Sequence, residues 1–81
     1  MRAIREFDMI RLTVPLEGPE VFTGRIYPLP AGTEGAVVDM LGNQGAYEVE
    51  FLLSPDQAGP DSFISVQIPV EAYQCELVEE K

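Results

Sequence analysis

The sequence predicts an all-β fold, a small closed barrel of about five short antiparallel strands. Three observations carry that prediction. Tyr47, Val49, Phe51 and Leu53 alternate with Glu48, Glu50 and Leu52, a period of two along one unbroken run. Gly42-Asn43-Gln44-Gly45 separates this run from the β-branched-rich stretch 36–41 and has the composition of a hairpin turn. No stretch carries the apolar spacing of a helix of even three turns.

Residues 4–14 form the first strand. Ile10, Leu12 and Val14 share one parity and make its buried face, and Asp8 turns or caps its start. Pro15 has no N–H to donate and ends the ladder. Residues 15–31 hold Gly18, Pro19, Gly24, Pro28 and Pro30, a density of turn-formers that predicts a long ordered loop. Val21, Phe22, Ile26, Tyr27 and Leu29 fold part of it over one end of the barrel, with Phe22 as a plug at the mouth. Residues 17–20 read as its most exposed part, and 23–27 as the place for a short extra strand.

Gly32 and Gly35 flank Thr33-Glu34 and supply either positive φ or close backbone approach. The strand that follows has Val38 and Met40 as core, which leaves Asp39 in solvent. On the next strand, burying Tyr47, Val49, Phe51 and Leu53 contributes about 1.5–3 kcal/mol per large apolar side chain. Glu48 and Glu50 point outward, because an unpaired buried carboxylate costs far more. Residues 54–61 form a loop. Residues 63–68 form a strand with Ile64, Val66 and Ile68 inward, stopped by Pro69. Residues 70–73 make one 3₁₀ turn, 75–78 a short last strand, and 79–81 a frayed tail. One domain spans residues 1–81. Strands in this order predict an SH3-like barrel, in which closure removes exposed strand edges.

Asp and Glu total 14 against 5 Lys and Arg, a net charge of -9. This balance repels nucleic acid and steers a basic protein partner inward. The same acidity also keeps a small protein soluble. Cys75 is the only cysteine, so no intrachain disulfide forms and a reducing compartment fits. With one cysteine and no histidine, the usual zinc ligand set is missing, and no metal or cofactor is expected. The lack of histidine also removes the usual base near neutral pH. Cys75 sits beside Glu76, with no activating base in the neighbouring sequence. Gly32-Thr33-Glu34-Gly35 lacks the lysine and hydroxyl of a phosphate loop. These readings point away from an enzyme.

The start of the chain lacks the apolar region of a signal peptide. No run approaches the roughly 20 apolar residues of a membrane span, so a cytoplasmic protein is expected. The candidate partner-binding residues are Tyr27, Asp39, Glu48 and Glu50. Tyr27 is the surface aromatic of the long loop. Asp39, Glu48 and Glu50 form a cross-strand acidic patch that pairs with arginines or lysines of a partner or, less favoured, holds a hard divalent ion weakly.

Residues 8–13, Leu16, the stretch 29–38 and Ala46-Tyr47-Glu48-Val49-Glu50-Phe51 resemble a family of small bacterial proteins of unknown function. The shared patterns are Gly-x-x-Gly-x-Val-Val, at residues 32–38, and Ala-Tyr-Glu-Val-Glu-Phe. The chain departs from that pattern at 17–28, which is longer, and at 54–61, which replaces a tighter acidic turn. The resemblance implies an SH3-like barrel. It also implies an antitoxin or immunity-type protein that masks a basic partner, and it brings no catalytic residue. The function expected is therefore a noncatalytic protein-interaction module. The alternative is a structural or accessory subunit that self-associates through a strand edge.

Overall fold

Alternating side chains and β-branched residues build seven strands along residues 3–42, 45–53 and 64–78, the part of the chain that this computed structural model describes. They are β1 (Met9–Leu12), β2 (Leu16–Pro19), β3 (Ile26–Leu29), β4 (Glu34–Met40), β5 (Ala46–Leu53), β6 (Ile64–Glu71) and β7 (Cys75–Leu77). A 3₁₀ turn at Ala72–Gln74 joins the last two. Five strands pair in the antiparallel order β6-β5-β4-β1-β7, and β2 and β3 pair as a separate hairpin. Asn43, Gln44, the predicted loop at 54–61, Phe63 and the predicted tail at 79–81 lie outside the described residues.

The sheet is open, and this corrects the predicted SH3-like barrel of about five strands. Closure would need β6 to pair with β7, and they occupy opposite edges. The outer edge of β6 is engaged elsewhere: Glu20 bridges Val66, and the Val21 N–H donates to the Ser65 carbonyl at 3.0 Å. Further along, Pro69 has no N–H to offer. It does not stop β6, which runs on to Glu71, because a proline is tolerated on an edge strand.

The segment 15–31, read as a long ordered loop, holds the β2–β3 hairpin. Residues 17–20 are not its most exposed part, since Gly18 and Glu20 are buried. Gly18 lets β2 lie directly on β6: a Cβ there would fall 2.9 Å from Val66 Cγ1 and closer still to Ile68 Cγ2. The core gathers Ile10 and Leu12 of β1, Leu29 of β3, Val37 of β4, Val49 and Phe51 of β5, Val66, Ile68 and Val70 of β6, and Cys75 of β7. Tyr47, Leu53 and Ile64 pack against its margin.

Gly32 before β4 and Gly35 within it divide the roles expected of them. Gly32 has φ +94°, and Gly35 allows close approach, since a Cβ would lie 2.7 Å from Phe51 Cδ1 and Val49 Cγ1. On β4 the expected core pair is corrected. Val37 is fully buried, while Val38 is half-buried and Met40 is exposed. The register explains the two valines: Val37 pairs with Val49 and Asp39 with Glu48, so Val38 is the extra residue of a bulge, while Met40 ends the strand opposite Tyr47.

Candidate functional site

The side of the sheet away from the core is built from β5 outward. Val49 and Phe51 face inward, so Glu48, Glu50 and Leu52 face out. Register then places their neighbours. Glu50 lies between Ala36 and Gln67, Glu48 between Asp39 and Pro69, and Leu52 beside Ser65; Met9 lies beyond Ala36. In-register side chains share a face, with Cβ atoms about 4.5–5.5 Å apart.

The bulge decides where Asp39 goes. Two residues beyond buried Val37, it would face the core in a regular strand. The extra residue at Val38 turns it outward, opposite Glu48. Two of the predicted site residues, Asp39 and Glu48, are thus directly opposed, and the third acid, Glu50, shares their face. Asp39 Oδ1 accepts the Met40 N–H at 2.8 Å, and Glu50 accepts the Ser65 hydroxyl at 3.1 Å. The ion pairs of the same face lie further across, where Arg11 meets Glu34 at 3.5 Å and Glu76 at 3.0 Å. Among the described residues, neither ion pair includes Asp39, Glu48 or Glu50. Both are exposed and contribute at most about 1 kcal/mol each.

Between β1, β4 and β5 the outer face dips into a shallow depression of about 210 Å³. Gly35 and Ala36 keep its centre low, Met9 and Leu52 are its apolar walls, and Glu34 and Glu50 its acidic ones. Small-molecule sites run from about 300 to 1,000 Å³, so this space suits one side chain of a larger partner.

Tyr27 is not joined to the carboxylates. It lies on β3 in the second sheet, half-buried against the core, with the Arg25 guanidinium 5.6 Å from its ring centroid. Cys75 is buried, and its Sγ lies 3.7 Å from the Glu71 carbonyl. Burial pushes its thiol pKa up, which opposes thiolate formation. Among the described residues, no three histidine, cysteine or carboxylate side chains are grouped to hold a metal ion. No helix among them is long and apolar enough to cross a membrane.

The sequence reading missed Glu20. Its carboxylate accepts the N–H groups of Phe22 and Thr23 at 3.0 and 2.9 Å and the Thr23 hydroxyl at 2.9 Å. The Phe22 N–H bond leads in holding the carboxyl below its ordinary pKa, against the opposing effect of burial. Backbone bonds from Glu20 N to the Arg25 carbonyl and from Gly24 N to the Glu20 carbonyl close the tip. Phe22 is consequently not a plug: it stands 89% exposed on a turn whose N–H groups are bonded. The signal was local. An acid followed within four residues by Thr23 and Gly24 is positioned to cap the next free N–H groups, as an acid does at a helix start.

Comparison with known proteins adds no relative. No family model matches the chain, and neither a curated protein nor a solved structure matches it. The resemblance to small bacterial proteins of unknown function is therefore not sustained.

Proposed function

We propose that this chain is a noncatalytic protein-interaction module whose outer sheet face receives a basic partner. One observation carries the reading: Asp39 stands in register with Glu48, Glu50 shares their face, and no described cation pairs with them. Like charges directly opposed across strands cost stability, and a partner's lysine or arginine would relieve that cost. The depression beside Glu50 adds a seat for one side chain, and the net charge of -9 steers a cationic surface toward it. The antitoxin or immunity role has no support apart from the lost resemblance. Self-association through a strand edge finds β6 obstructed at Pro69 and beside Glu20.

The test is titration of the full chain with a lysine- and arginine-rich peptide at increasing salt. The expected affinity falls with salt, and Glu48→Lys with Glu50→Lys weakens it about tenfold or more. Binding unchanged by both reversals would remove this face from the account.

A further inference from the structure

We infer that the tip of the β2–β3 hairpin and the outer sheet face form one docking surface, whose occupant is a cationic amphipathic protein segment. The inference rests on the basic-partner reading and adds the apolar half of the contact.

Placement comes first. Glu20 bridges Val66, and Val21 bonds to Ser65, so the tip runs along the outer edge of β6. Glu20 lies on the buried side with Val66, and Val21, bonded to Ser65 next to Leu52 in register, is exposed. Leu52 is one wall of the depression, and Met9 is the other. Exposed apolar side chains thus stand at both ends of this surface, Val21 and Phe22 at the tip and Leu52 and Met9 on the sheet. Four strand spacings separate the tip from β1, about 19 Å. A helical segment of about 13 residues covers that span.

Energetics then favours an occupant. Exposed apolar groups gathered on one surface mark interaction sites. The Glu20 carboxylate and the closing backbone bonds fix the backbone at Phe22 before any partner arrives, which lowers the ordering cost of binding. Charge selects the kind of occupant. Glu50 and Glu34 share the depression with the apolar walls, and Glu48 and Asp39 extend the acidic flank. The complement is a segment with apolar side chains on one face and lysine or arginine on the other.

The experiment uses the full chain and two labelled leucine–lysine peptides of about 14 residues and identical composition. One places its leucines on a single helical face, and the other disperses them. Fluorescence anisotropy should show the segregated isomer binding at least about tenfold tighter, which is about 1.4 kcal/mol. Phe22→Ser and Leu52→Ser alter exposed positions, so each should erase most of that preference at an unchanged unfolding midpoint. Equal binding of the two isomers, still weakened by the Glu48→Lys and Glu50→Lys pair, overturns the apolar anchor and leaves the basic-partner reading standing. Binding of neither isomer overturns both. Self-association abolished by Phe22→Ser, or uptake of the chain by phosphatidylcholine vesicles, also overturns the inference by giving the tip a different occupant.

Discussion

Adding one methyl group at Gly18 tests how the hairpin is seated on the sheet. Gly18 has no left-handed backbone to protect, so the effect of Gly18→Ala is steric. The new Cβ would lie 2.9 Å from Val66 Cγ1 and nearer still to Ile68 Cγ2, both on buried residues of β6. Overpacking of this kind costs about 1–3 kcal/mol. Alanine returns about 0.4–1 kcal/mol by restricting the unfolded chain. The expected net loss is about 1–2 kcal/mol, read from urea unfolding. In a chain of this size each kcal/mol lowers the melting midpoint by about 4–8 °C. Ile68→Ala supplies the control. It removes the clashing Cγ2 and leaves Cβ at 3.7 Å, an ordinary contact. Alone it costs about 2–5 kcal/mol through the cavity it opens. Combined with Gly18→Ala, it should recover about 1–2 kcal/mol relative to additivity, because the new methyl fills part of that cavity. A neutral Gly18→Ala, or a strictly additive double variant, would refute direct seating of β2 on β6.

Three further outcomes follow from the same structure. Gly35→Ala brings a Cβ within 2.7 Å of both Phe51 Cδ1 and Val49 Cγ1, and should cost about 1–3 kcal/mol by urea unfolding. Val37→Ala empties a fully buried site and should cost about 1.5–3 kcal/mol. Met40→Ala, at an exposed site, should stay below about 1 kcal/mol, and equal losses at the two positions would contradict the difference in burial between them. Glu20 has a native pKa below its ordinary 4.5, so the folded state favours the carboxylate. Its stabilisation is complete above that ordinary value and is lost as the pH falls through the lowered native one. The melting gap between the natural chain and Glu20→Gln should therefore narrow as acid is added below pH 4.5, and a gap independent of pH would contradict the role given to the carboxylate.

The parts of the fold legible in the sequence are those where one periodicity governs one segment. β5 is the clearest, since Val49 and Phe51 have no competing arrangement that also exposes Glu48 and Glu50. Ile10 and Leu12 were equally plain, and so were Val66 and Ile68. β4 misled because a bulge adds one residue, and counting by twos through Val38 inverts Ala36 and Val37 before it. Asp39 was still placed in solvent, since the cost of burying its charge holds whatever the register. Closure could not be read from the order of strands along the chain. It depends on whether β6 keeps a free edge for β7, and that edge is met by Glu20 and Val21 from a segment that reads as loop. The acidic face was legible because in-register acids follow from two adjacent strands and their turn. The hairpin tip was not, because Glu20 looks solvent-exposed among Gly18, Pro19 and Gly24 until its three hydrogen bonds are seen.

The most direct test of the central claim is a map of amide chemical shifts in the full chain as the segregated leucine–lysine peptide is added. The account expects the largest changes at Val21, Phe22, Glu48, Glu50 and Leu52, with Leu29 and Tyr27 of β3 little altered. Changes centred on β3, or the same pattern undiminished in the Phe22→Ser chain, would contradict it.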